Sequence, residues 1–206
     1  MNILKTILEN KELADKINYK CDIIIYPEMR KQEDTDGHIT WNIYGMAFGA
    51  DASGGEFVLL SDGTIGFNSS EGETGRIAEN MTELFELLIN CPCFMDFLVD
   101  DIYKDDILLR KYAEAIESEY KEDFNSIGIY DWDIVKEEIS KELGLGVDNF
   151  IYYNTLKKFY NTATREPQYK YIFKENDGIK IKSNCIISRP MRDGIKRKQN
   201  YDQITV

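Results

Sequence analysis

Between residues 39 and 88 the apolar positions come in three short bursts and then change period. Residues 39–49 (ITWNIYGMAFG) and 56–60 (EFVLL) are apolar on both alternating faces, the pattern of strands covered from both sides. Asp62-Gly63 then supplies a tight turn into a third burst at residues 64–67, and aspartate and glycine tolerate the positive φ that a two-residue hairpin needs. The flanking strands are therefore expected to pair antiparallel. From Asn80 the spacing lengthens to that of a helix: Met81, Leu84, Phe85 and Leu88 recur at i, i+3, i+4 and i+7, Asn80 stands at the cap, and Glu83 at the third helical position.

The same reading extends outward. Residues 1–17 predict one helix with Ile3, Leu4, Ile7 and Leu8 on one face, and residues 21–26 a buried strand ended by Pro27, followed by a charged connection over 28–38. Beyond Pro92, the stripe Phe94, Phe97, Leu98, Ile102, Leu108, Tyr112, Ala115 and Ile116 predicts a continuing helical run with acids on its far side. Asp131 is placed to cap a helix through Val135, Ile139 and Leu143 that stops at Gly144, and Asp148 to cap another through Tyr152, Leu156, Phe159 and Tyr160; the two are expected to form a helical hairpin. In residues 168–174 Tyr169, Tyr171 and Phe173 alternate, and Asp177-Gly178 turns into 179–182, the pattern of a second β-hairpin. After Arg189 the chain is expected to be irregular.

The fold class is thus α+β: a mostly antiparallel sheet flanked by helices, with a helical C-terminal half ending in a small β-hairpin. A boundary near 125–130 divides the chain into 1–125 and 126–206, or the two parts form one domain.

The order of aromatic strand, Gly54-Gly55-Glu56-Phe57, a strand ending at Leu60, Asp62-Gly63, a short strand and an acidic amphipathic helix resembles the SUKH superfamily. The resemblance covers about Tyr44 to Phe97, roughly a quarter of the chain, and its motifs are degenerate. Met81 stands where family members often carry an aromatic, and the family's opening helix with its proline, acidic-aromatic stretch and Asn-Gly turn is not recognisable in residues 1–38. That superfamily includes fungal cell-wall signalling proteins and many bacterial immunity proteins (Smi/Knr-like antitoxins) that neutralise secreted toxins, often nucleases. Membership implies a non-enzymatic protein-binding module.

Charge sharpens this. The 206-residue chain carries 25 bases against 37 acids, net −12, and residues 1–169 hold 16 bases and 33 acids, whereas 170–206 hold 9 and 4. A body this acidic repels phosphate and is poorly suited to nucleic acid, yet it attracts a cationic protein. Solubility alone also explains acidic surfaces. Lys196-Arg197-Lys198 is too short a basic run to indicate nucleic-acid binding. The N-terminal stretch reads poorly as a signal peptide and no apolar run has membrane-spanning length, so a cytoplasmic location is expected.

Chemistry has little to stand on. His38 is the single histidine and sits in a polar loop without a nucleophile turn; Cys91-Pro92-Cys93 lacks the spacer of redox and zinc motifs, and the four cysteines are expected to be free thiols. No phosphate-binding loop is present, and neither a cofactor nor a metal is expected. Asp51, Glu56, Asp62, Glu71 and Glu73 cluster in glycine-rich turns. Turn aspartates commonly bond their own backbone, and an oxygen-rich calcium site lacks the EF-hand spacing. The preferred reading makes these five acids one rim of an acidic recognition surface for a basic, nuclease-type toxin, with Trp41, Tyr44 and Phe67 buried beneath as a rigid platform. Two rivals stay open: a regulatory scaffold that docks partners on acidic helices 94–123, and a hydrolase using two carboxylates about 5 to 9 Å apart.

Overall fold

Asparagines divide the N-terminal apolar stripe into two helices where one was expected. Asn2 caps α1 (Ile3–Glu9), and Asn10 caps α2 (Lys11–Cys21) by accepting from Leu13 N at 3.1 Å while its own N–H closes α1 on Ile7 O. Each cap satisfies helix-end donors, so the break stabilises both ends. The computed structural model describes residues 2–32, 37–126, 132–148, 152–176 and 178–189.

Cys21 closes α2, and the expected strand begins later and runs further, as β1 (Ile24–Lys31). It passes through Pro27 because it is an edge strand, where a missing N–H leaves no ladder bond unmade, and its register shifts between Ile25 and Arg30. β1 is mostly exposed, not buried.

The predicted strand over 39–49 divides into β2 (Ile39–Trp41) and β3 (Gly45–Ala50). Asn42 turns the chain between them: its side chain donates to Gln168 O at 2.6 Å and accepts from Lys170 N at 2.8 Å. β3 then leads an antiparallel meander with β4 (Glu56–Leu60), β5 (Ile65–Asn68) and β6 (Glu73–Ala78). Gly63, at φ +86°, makes the expected tight turn between β4 and β5. β6 was not legible in the sequence, although every residue in it is buried.

α3 (Met81–Asn90) follows as expected, with Asn80 Oδ1 accepting from Glu83 N at 3.0 Å and Glu83 reaching back to Glu79 N at 3.2 Å. The next stripe is not one helix. Two 3-10 turns, Phe94–Phe97 and Asp100–Lys104, precede α4 (Asp106–Ser126), which Asp105 starts by accepting from Ile107 N and Leu108 N.

α5 (Trp132–Leu143) packs on α2 and α3, and α6 (Tyr153–Thr164) on β6 and α3, so both helices use α3 as support in place of the expected mutual hairpin. Asp148 is not the cap residue of α6, which is Tyr152, but it accepts from Thr155 N in the first turn at 3.1 Å; the expected cap at Asp131 lies outside the described residues. β7 (Tyr171–Lys174) pairs antiparallel with β8 (Lys180–Lys182) and with β2, forming a second, three-stranded sheet. Asp177 of their turn also lies outside the described residues, as does the chain beyond Arg189. Instead of ending at that turn, the described chain returns as β9 (Asn184–Cys185), parallel to β6 at the far edge of the six-stranded sheet, which runs β1-β3-β4-β5-β6-β9.

A single hydrophobic cluster runs from Ile3 to Ile187 on the helical side of the large sheet, joining Phe48, Phe57, Phe67, Phe85, Phe94 and Phe159. The opposite face carries a smaller cluster around Ala47, Val58, Leu60 and Tyr169. Of the three platform aromatics, Phe67 is fully buried and Trp41 stacks on Tyr169 at 5.3 Å, but Tyr44 is half exposed. All four cysteines are free, and burial pushes the Cys21 thiol up to about 12.

Candidate functional site

In an antiparallel meander successive turns fall at alternate ends, so the five predicted acids do not share one rim. The turns at 51–55 and 69–72 lie at one end of the sheet, while Asp62 lies at the other. Three of the five are turned onto their own chain. Asp51 is buried and accepts from Gly55 N at 2.6 Å and Ser53 Oγ at 2.9 Å, closing its own turn. Glu73 is buried, takes a forked bond from Arg189 at 2.7 and 2.5 Å, and accepts from Ser69 Oγ at 2.7 Å.

Asp62 accepts from Thr64 N and Oγ1 and from Arg76 Nη2 at 2.7 Å. Glu71 stays exposed and Glu56 partly so. An acid that the sequence did not single out, Asp22, joins the same end by accepting from Ala52 N at 3.1 Å; burial, then the nearby charge of Asp51, pushes its carboxyl up.

These contacts also set protonation. Burial opposes ionisation of Asp62, yet the hydrogen bonds from Thr64 and Arg76 outweigh it and bring the carboxyl down to about 2. For Glu73 the bonds from Arg189 dominate and hold the carboxyl below its usual range.

A different site emerges on the helical face. α1 is only seven residues long, so it leaves part of the sheet uncovered and opens a groove of about 780 Å³ between itself, β1 and the first turn of α3. Ile25, Phe48 and Leu59 form its floor, Leu4 and Leu8 one wall, and Met81 the other. Leu8 is 45% exposed and Met29, on β1, 42%. Lys5 and Glu9 are the charged side chains of the lining, and they face each other at 3.7 Å. In sequence, Leu8 reads as part of a core stripe and Met29 as part of a charged connection; the missing cover is a consequence of the Asn10 break.

The single histidine is engaged within the chain. His38 Nδ1 lies 2.7 Å from Lys174 O and its ring against Phe173. Among the described residues no group of three or more His, Cys, Asp or Glu is placed to hold a metal ion, and no helix is long and apolar enough to cross a membrane. Comparison with family models, with curated proteins and with solved structures found no match.

Proposed function

We propose that the chain is a non-enzymatic, cytoplasmic binding protein of the SUKH immunity type that neutralises a basic, nuclease-type toxin by covering it. The observation that carries this reading is the groove. It is wide, open and apolar, its one lining carboxylate already has Lys5 as partner, and it sits on a protein of net charge −12. Concave apolar surface without a convergent acid–base pair suits burial of a partner better than turnover of a substrate. Glu71, which is exposed, and Glu56, which is partly so, act as steering charges that raise the association rate. Asp51 and Glu73 hold the turns that present them, and Asp62 holds the turn at the opposite end of the sheet.

The scaffold reading is weaker, because four of the acids on its expected docking face are used within the chain. Asp100 and Asp101 pair with Lys104, Asp105 caps α4, and Asp106 binds Lys157 and the Tyr153 hydroxyl. For a hydrolase, Asp22 with its carboxyl raised by burial and by the charge of Asp51 is a candidate, but neither residue lines the groove.

The test is affinity capture from the native organism on the immobilised chain with a salt elution series. A recovered basic nuclease whose activity disappears when the chain is added supports the proposal. A captured protein that elutes independently of salt, or a nuclease that stays active in the complex, overturns it.

A further inference from the structure

We propose that the outward face of the three-stranded sheet binds a short acidic segment of a protein, its carboxylates seated among Lys170, Lys174, Lys180 and Lys182. The proposal goes beyond the reading above and concerns a separate surface, since none of these lysines lines the groove beside α1. Tyr169 lies against Gly66 of the large sheet and Tyr171 donates to Gly72 O at 3.4 Å, so by strand alternation Lys170, Ile172 and Lys174 point the other way. Register continues this face onto β8: Lys174 stands opposite Lys180, and Ile172 opposite Lys182. The hairpin's two acids, Glu175 and Asp177, belong to its turn and not to its strands. Among the described residues no carboxylate lies within ion-pair distance of any of the four lysines.

Two ordinary accounts fall short. Lysines on an edge strand deter strand addition, which covers Lys180 and Lys182 on β8; Lys174, however, lies in β7, the central strand of this sheet, and Lys170 just before it. A solvated surface covers lysines that stand apart, yet like charges set directly opposite in a ladder repel, and Lys174 with Lys180 is such a pair. A carboxylate bound between them turns that repulsion into attraction.

Size selects the class of anion. Lys170 to Lys174 spans about 13 Å and the step to β8 about 5 Å, an area that a few carboxylates at alternate positions of an extended peptide fill. A nucleic-acid strand or an anionic membrane runs on past it, onto a body that holds 16 bases and 33 acids in residues 1–169. There it is repelled at distances inside the screening length of about 8 Å. Nor does the face carry an aromatic ring on which a base stacks: Thr40, Asn42 and Ile172 fill the places beside the lysines.

The probe is a labelled peptide of about eight residues with glutamate at alternate positions and serine between, and its glutamine analogue is the control. Anisotropy titration against the full chain is expected to show the glutamate peptide bound at least about tenfold more tightly than the analogue, with affinity falling as salt is raised. Lys174→Glu and Lys180→Glu are each expected to weaken it by at least about tenfold, while Lys11→Glu, the same change of net charge at an exposed place on α2, leaves it within about twofold. Lys180→Glu also sets a carboxylate opposite Lys174, so its unfolding midpoint is expected at or above the parent's, which separates lost binding from lost folding.

Equal binding of peptide and analogue, or an equal loss in Lys11→Glu, would overturn the proposal. So would tighter binding of a single-stranded oligonucleotide of about twenty nucleotides, or of phosphatidylglycerol vesicles, than of the peptide. The two readings fail separately. Lys180→Glu leaves the groove intact, so loss of the acidic peptide in that variant does not touch capture of a basic nuclease, and failure to capture a nuclease does not touch the peptide titration.

Discussion

Arg76 reaches from the middle of β6 to donate from Nη2 to the Asp62 carboxylate at 2.7 Å, so a buried guanidinium anchors a turn formed by two other strands. The same side chain donates from Nε to Thr64 Oγ1 at 3.1 Å and from Nη1 to Pro167 O, tying the β4–β5 hairpin to the connection between α6 and β7. Arg76 is 3% exposed and Asp62 39%, so the two ends of the pair differ in consequence. Removing the arginine leaves buried acceptors unpaired; removing the acid leaves a buried cation with two remaining acceptors. Arg76→Met is expected to destabilise by about 2 to 4 kcal/mol in urea unfolding and Asp62→Asn by about 1 kcal/mol, with a non-zero coupling in the double-mutant cycle. Additive single effects would mean that the pair does not act as a unit.

Acid should act on the same contacts. Both Asp62 and Glu73 have folded-state values below their unfolded ones, so each prefers to be ionised in the folded chain. Their stabilisation is present above the ordinary carboxylate range and is lost as pH falls, for Asp62 between the reference value of 3.8 and about 2. Stability is expected to drop on acidification through that window, and Asp62→Asn to flatten the drop, in denaturant titrations at several pH values. An unchanged slope in the variant would assign the acid sensitivity elsewhere.

Close approach of the C-terminal segment fixes a glycine. At Gly75 the place a Cβ would occupy is taken by the side chain of Ile186, a fully buried residue just past β9. Gly75→Ala is expected to cost about 1 to 3 kcal/mol through overpacking, and less in an Ile186→Ala background, read from chemical unfolding midpoints. Equal cost in both backgrounds would show that Ile186 is not the obstacle.

The acids should separate by role. Glu71→Lys is expected to leave stability within about 0.5 kcal/mol of the parent, as surface changes usually do, yet to slow partner association. Glu73→Gln should do the opposite, costing stability because Arg189 loses its charged partner. Stopped-flow association and thermal unfolding on the two variants check this; matching profiles would erase the distinction.

What the sequence revealed follows the range of the interactions involved. The turn at Asp62-Gly63 and the Asn80 cap depend on residues within four positions of one another, and both read directly. β6 did not, because ETGRIA buries Glu73, Thr74 and Arg76, whose partners are Arg189, Tyr169 O and Asp62. Polar residues satisfied across the fold imitate a loop in any local window. Asn42 hides the break between β2 and β3 for the same reason, since its partners lie at Gln168 and Lys170. The single rim of five acids did not form because exposure of an acid is not a property of its neighbours in sequence: Asp51 and Glu73 look like Glu71 until their hydrogen bonds are drawn.

The central claim, that this acidic chain exists to cover a basic macromolecule, is tested most directly by the association rate with the recovered nuclease as a function of ionic strength. The account predicts rates approaching about 10⁸ M⁻¹s⁻¹ at low salt that fall steeply as salt is raised, with nuclease activity lost at one-to-one stoichiometry. A rate indifferent to salt, with activity retained in the complex, would contradict it.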